Sequence, residues 1–381
     1  MRQPGRVPMS PQQFNAQRLA QLGKIPGKRL TFPPASKLTI ARYATDLIAI
    51  AERAYAIVLR TVIAAINRQQ ALATVTLDES ARADARMTTR EKIKAFLTGK
   101  RAANRAIRAA AQNVPHTPAE KEALTIPADI DAAIADMEAQ IAKLVAGLGN
   151  PSIQIGAMVE DASAVATDKA LTQLGLKVIE PQSELASLAT RWTQQNASLI
   201  KSIPTEMAER VRQKVAEMVP QGARWETISA QLQKEEGIGK RRAHLIARDQ
   251  VGKYNAALRD ARTAACGIDT DAYEWSGAQD NRERDSHLAL QGQRFNAAHP
   301  SPIGDPGTAP LCRCEKQYVL NTQEKASAQG ISKDALAQKM ASNPREDDPP
   351  DLTHGERLAR AHKELAADVK MQDAFKASRM V

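Results

Sequence analysis

Apolar residues at helical spacing, in a chain almost without aromatics, constrain this sequence more than any other feature. Tyr43, Leu47, Ile50, Ala54 and Ile57 recur at intervals of four and three, and Val62, Ile63 and Ile66 continue the stripe. Ile130, Ile134, Met137, Ile141 and Leu144 form a second one, ended by Gly147, Gly149, Asn150 and Pro151. Such spacing puts the apolar side chains on one side of a helix. Aromatics are only 3% of the 381 residues, which favours thin, alanine-rich helical packing over one large globule. The length allows two or three domains.

Four segments follow from these patterns. Residues 1–36 are proline-rich and read as an extended arm. Residues 37–185 read as an elongated α-helical region, with a long helix to about Thr74 and others over 127–148 and 152–182. Residues 186–320 read as helix, turn, helix, turn, helix, then short strands. The first helix carries Met207, Val211, Val215 and Met218, and a short second one, with Trp225, Ile228 and Leu232, closes at Gly237-Ile-Gly239. The third spans about Lys240 to Cys266, with Gly267 as its C-terminal stop. The strand Ala272–Trp275 is expected to pair with Glu315–Leu320. Residues 321–381 read as a polar tail with a short charged helix. The expected fold is mainly α: an elongated helical N-terminal arm, then a small α+β domain of three helices and a small antiparallel sheet.

The formal net charge of +10 favours an anionic partner. Residues 80–113 concentrate it: Arg82, Arg86 and Arg90 share one helix face, and Arg101, Arg105 and Arg108 another. These faces suit nucleic-acid phosphates or an acidic protein surface, and equally a solvated helix. Gly237-Ile-Gly239 followed by Lys240, Arg241 and Arg242 has two readings. It is either the hairpin of a DNA-binding helix-hairpin-helix, offering amides to a phosphate, or a plain inter-helix turn. No apolar run approaches a membrane span, and no apolar leader is expected near the N-terminus.

Chemistry concentrates between Trp275 and Cys314, which hold two of the three cysteines, two of the six histidines and one of the three tryptophans. His287, His299, Cys312 and Cys314 are the donor types of a structural zinc site. In an extended strand, side chains two apart lie roughly 7 Å from one another, so Cys312 and Cys314 can act together only where the backbone curls. Packed thiols and a disulfide are the other readings. Arg248 and Asp249 read as a buried Arg–carboxylate network or as a phosphate-binding arginine. Asp280, Arg282, Arg284, Asp285 and His287 can pin a loop without core packing. A hydrolase or transferase built on His287 would need a nucleophile such as Cys312, and no nucleophile elbow or oxyanion-forming glycine turn accompanies it. A non-enzyme is therefore expected.

Four stretches in order carry a resemblance: N-A-S-L-I-K-S-I-P at 196–204, H-L-I-A-R-D-Q-V-G-K-Y-N at 244–255, W-S-G-A-Q-D-N-R-E-R-D-S-H-L-A-L-Q-G at 275–292 and C-R-C at 312–314. Together they resemble the phage head morphogenesis family, the minor head proteins similar to protein F of phage Mu. The resemblance covers 196–320, about a third of the chain. Its structural motif would comprise Arg248, Asp249, Trp275, Asp280, Arg282, Arg284, His287, Gly292, Cys312, Arg313 and Cys314. It implies a minor capsid protein made in the host cytoplasm and placed in the virion, at the portal vertex and inner capsid. There it would act by binding, in head assembly and in DNA packaging or ejection. The implied partners are the portal and other head proteins, with packaged DNA as a further candidate. Many family members carry Cys-x-x-Cys where this chain has Arg284-Asp-Ser-His287, and a His where it has Leu311. No cofactor is therefore expected beyond the option of a structural zinc. The rival function is DNA binding through the Gly237–Arg242 turn and the basic helices.

Overall fold

The computed structural model describes residues 9–71, 126–221, 223–280, 282–343, 348–349 and 351–377. The arginines Arg82 to Arg108 lie outside these residues. The chain divides into two compact units. One comprises Met1–Asp46, Asn150–Ser198 and His244–Val381; the other comprises Leu47–Gly149 and Leu199–Ala243.

The second unit is built of helices, with no strand among its described residues. It takes in the C-terminal part of α2 (Lys37–Val58), which runs into a π-helical turn at Leu59–Ile63. The two stripes read from the sequence are its interior: Leu47, Ile50, Ala54, Val62 and Ile66 are buried, as are Ile130, Ile134, Met137 and Ile141 of α3 (Ala128–Ala146). Parts of two longer helices complete it, α5 (Gln182–Met218) and α6 (Trp225–Ala265). Met207, Val211 and Val215 on α5 and Ile228 and Leu232 on α6 are all buried. Glu235 of α6 is fully buried, and Arg210 Nε at 2.7 Å and Lys214 Nζ at 2.6 Å, both from α5, pair with its carboxylate.

Gly237 and Gly239 do not end a helix. The 41-residue α6 passes through both, so the expected second and third helices are one. Tertiary packing overrides glycine's poor helix propensity here. A Cβ on Gly239 would lie 2.7 Å from Met207 Cε and 3.2 Å from Ala51 Cβ, so its bare backbone is what lets the helices approach. Pro204 likewise sits inside α5 rather than before a helix.

The first unit holds the sheet, whose strand order is β1-β4-β2-β3 with antiparallel neighbours. The strands are β1 (Arg29–Leu30), β2 (Tyr273–Ser276), β3 (Arg294–Phe295) and β4 (Glu315–Val319). The expected pairing is present, with Tyr273 opposite Tyr318 and Ser276 opposite Glu315. The fold is thus mainly α with a small antiparallel sheet near the C-terminal end. An aromatic group packs the helices of this unit. Trp192 of α5 stacks on Tyr254 of α6 at 4.8 Å, and its ring edge would meet a Cβ on Gly156 of α4 (Ser152–Gln173) at 3.1 Å. Buried Asn196 accepts the Tyr43 hydroxyl at 2.8 Å and donates to the Trp192 carbonyl at 2.8 Å.

Both chain ends differ from expectation. Within 1–36, helix α1 (Pro11–Leu22) starts at a capping box between Ser10 and Gln13. Leu22 and Leu30 are buried with Leu171, Leu174, Cys266 and Tyr318, so this segment belongs to a core instead of forming an extended arm. The short α7 (Asp285–Leu288) lies between β2 and β3, and beyond 321 come α8 (Thr322–Ala326), α9 (Lys333–Ala341) and the 24-residue α10 (His354–Ala377), where only a short charged helix was expected. Leu336, Met340, Ala361 and Leu365 from α9 and α10 bury against Trp275 and Phe295. The polar surface of this region hid a sparse apolar face.

Candidate functional site

The site is assembled from the end of β2, the single-turn α7 and the loop before β4. Trp275 is 1% exposed, and its ring meets the His287 imidazole edge-on, with centroids 5.3 Å apart. α7 opens after Arg284, and the turn buries Ser286 and His287. Ser286 donates to the Asp368 carboxylate of α10 in a short contact. Gly292 completes the turn to β3 at φ +73°, a conformation that favours glycine. Its N–H donates to the Trp275 carbonyl at 2.9 Å.

The loop before β4 curls as the cysteine pair requires. Leu311 adopts φ +58°, and its N–H donates to Asp249 Oδ1 at 2.6 Å. Arg284 Nη2 donates to the Pro310 carbonyl at 2.8 Å. Arg313 grips Asp280 through both guanidinium nitrogens, and the Arg282 N–H adds a 3.1 Å bond to the same carboxylate. The Arg313 contact foremost holds the Asp280 carboxyl well below the usual carboxylate range. Asp280, Arg284, Asp249 and Arg313 thus fasten the loops that frame the thiols, as a loop-pinning network would.

Three donors converge inside that frame. His287 Nδ1 lies 3.3 Å from Cys314 Sγ and 3.4 Å from Cys312 Sγ, and all three ligand atoms fall within 4.8 Å of one another. Tetrahedral zinc with ordinary Zn–S and Zn–N bonds holds its N and S ligands about 3.6 Å apart. The observed spacing fits that donor set. His287 is 2% exposed, Cys314 is buried and Cys312 is half-buried. The Cys312 thiol also accepts the Gly307 N–H at 3.3 Å. Contact between the two sulfurs pulls the Cys312 thiol down, helped by His287, and pushes that of Cys314 up. All three cysteines are free thiols, so a disulfide is not formed.

His299 is not part of this group. It is exposed in the turn Asn296–His299, where its N–H donates to Asn296 Oδ1 at 2.8 Å. Sequence reading missed Glu283, whose Oε1 lies 3.2 Å from Cys314 Sγ. Glu283 lies before α7, in the turn closed by its N–H on the Asp280 carbonyl, and no spacing in the sequence marked it. Arg284, which cannot ligate, stands beside it.

The other expected residues fall elsewhere. Arg248 and Asp249 do not pair. Asp249 accepts from Lys253 at 2.8 Å, whereas Arg248 has no ion pair among the described residues and its buried Nε has no hydrogen-bond partner. Lys240 binds Glu236 at 2.7 Å and Glu52 at 3.0 Å, and Arg242 binds Glu206 at 2.5 Å and Ser202 at 2.9 Å. With α6 continuous, there is no hairpin of amides at Gly237–Gly239 to receive a phosphate. No helix among the described residues is long and apolar enough to cross a membrane.

Comparison with known proteins agrees with the resemblance. An uncharacterized protein of Haemophilus influenzae is 38% identical over 130 residues, which is 34% of this chain and 29% of that protein. The chain therefore matches less than a third of that relative's length. No solved structure matches. Residues 209–317, which contain α6, β2, the His287 turn and the thiol pair, match the family described as phage Mu protein F like protein.

Proposed function

We propose that this chain is a phage head protein, a minor capsid component that acts by binding in head assembly and in DNA packaging or delivery. The observation that carries this is the family match over 209–317, a segment that contains the whole framed turn from Trp275 to Cys314. The partners on this reading are the portal and other head proteins, at the portal vertex inside the capsid. Co-expression with the portal protein of the same phage tests it. A complex that survives size-exclusion chromatography supports the reading, and separate elution of two folded proteins overturns the portal assignment. DNA binding through Gly237–Arg242 has lost its structural basis, because Lys240 and Arg242 are engaged by carboxylates of their own unit.

Within this function, the centre of His287, Cys312 and Cys314 is a structural site for a soft divalent ion such as zinc, with Glu283 the nearest carboxylate to complete it. Two thiols and an imidazole favour such an ion over magnesium or calcium. The chemistry it supplies is a crosslink between α7 and the loop before β4. Metal analysis of the purified full chain should return one equivalent, lost in the Cys312→Ser, Cys314→Ser double variant. A folded wild-type protein that takes up no zinc overturns this part.

A further inference from the structure

A cleft of about 640 Å³ lies in the first unit beside the Cys312–Cys314 loop. Its size is that of sites which enclose a small ligand or a few side chains. Pro34, Ala35, Ile40 and Leu311 give it apolar walls, and Arg248 lines it from α6.

Its charges are matched with two exceptions, Arg248 and Lys37. Each lining carboxylate already has a cation: Asp249 has Lys253, Asp260 has Lys316, Asp280 has Arg313 and Glu315 has Arg259. Arg248 has none among the described residues, and its buried Nε makes no hydrogen bond. An unmet donor of a charged group is costly, and the planar Arg248 guanidinium lining the cleft is a ready donor to one oxyanion. Lys37 at the rim is exposed and also lacks an ion pair among the described residues. The other lining cations are already held by carboxylates, so among the described residues the cleft offers free positive charge at Arg248 and Lys37 alone and not the row of sites a polyanion needs. A nucleic-acid strand, with a charge at every phosphate, is disfavoured there, whereas a single carboxylate among small apolar groups complements both the charge and the walls.

We propose that this cleft is a peptide-docking site: it takes a segment of a partner protein that presents one acidic side chain, bound by Arg248 and flanked by small apolar residues. This does not rest on the head-protein reading, and its test needs no phage.

The probe is a random hexapeptide display library panned against the full chain, with selected peptides then titrated by fluorescence anisotropy. Sequences with a single Asp or Glu among small apolar residues should be enriched. Their affinity should fall about tenfold or more in Arg248→Gln, the loss expected for a charge-assisted pair, and less in Arg248→Lys, which keeps charge without the fork. Thermal melting checks that each variant is folded. Ala35→Trp, on the loop before α2, should block the cleft independently of Arg248. Enrichment without an acidic position, or binding unchanged in both folded Arg248→Gln and Ala35→Trp, overturns the proposal. So does duplex DNA that binds in an Arg248-dependent way and displaces the peptides.

Discussion

Replacing Gly237 and Gly239 separately by alanine distinguishes a continuous α6 from two helices joined at a turn. In a helix interior, alanine is favoured over glycine by about 1 kcal/mol. At Gly237 nothing offsets this: a Cβ would meet only Arg241 Nη1, at 3.4 Å, in ordinary contact with a flexible side chain. Gly237→Ala should therefore stabilise by about 0.5–1 kcal/mol. At Gly239 the same gain is opposed by overpacking. The new Cβ would sit 2.7 Å from Met207 Cε, which can swing away, and 3.2 Å from Ala51 Cβ, which cannot move without its helix. Overpacking costs about 1–3 kcal/mol, so Gly239→Ala should be neutral to destabilising by about 2 kcal/mol. Urea unfolding followed by far-ultraviolet circular dichroism measures both. The two variants should differ in sign or by at least about 1 kcal/mol. If Gly237→Ala destabilised the protein by more than 1 kcal/mol, a turn conformation at Gly237 would be required and the continuous helix refuted.

Other outcomes follow from the same packing. Glu235→Ala removes two charge-assisted bonds from a fully buried carboxylate, to Arg210 and Lys214, both partly exposed. The loss in urea unfolding should be about 2–4 kcal/mol, while Glu209→Ala on the exposed side of α5 should leave the unfolding midpoint nearly unchanged. The Glu324 carboxyl is held low, by the Gly27 N–H first and Arg29 next. Its contribution is therefore present above the ordinary glutamate value of about 4.3 and lost as pH falls through its lower folded value. Wild type should accordingly exceed Glu324→Gln in melting temperature at pH 7, with the gap closing on acidification; a gap that widened would contradict the assignment. In protein stripped of metal, iodoacetamide should label half-buried Cys312 before the buried Cys266 and Cys314, as peptide mass spectrometry would show.

Long, regular periodicity was the legible part of this sequence. Ile130 to Ile141 and Leu47 to Ile66 repeat often enough for a period of 3.6 to be unambiguous, and both lie in cores. The Tyr273–Ser276 and Glu315–Val319 pairing was legible because β-branched and aromatic residues cluster there between turn formers. Gly237 and Gly239 misled because propensity carries no information about Ala51 and Met207, which lie far away in sequence and make glycine necessary. α1 was missed, and α10 was expected only as a short helix, for a related reason. Each buries only a few residues, such as Leu22 or Ala361 and Leu365, so its apolar stripe is too thin to stand out. At the site, donor types were legible but geometry was not. Cys312 and Cys314 converge through a positive φ at Leu311, a leucine that no sequence rule places there. His299 was indistinguishable by type from His287, and only the fold separates the exposed turn from the buried one.

On the proposed function, this chain is built into phage heads, and quantitative mass spectrometry of purified, DNA-filled heads of the encoding phage measures that. Peptides of this chain should be present in the particles, at a few copies relative to the major capsid protein. Heads that contain their portal and major capsid protein but no peptide of this chain would contradict that function.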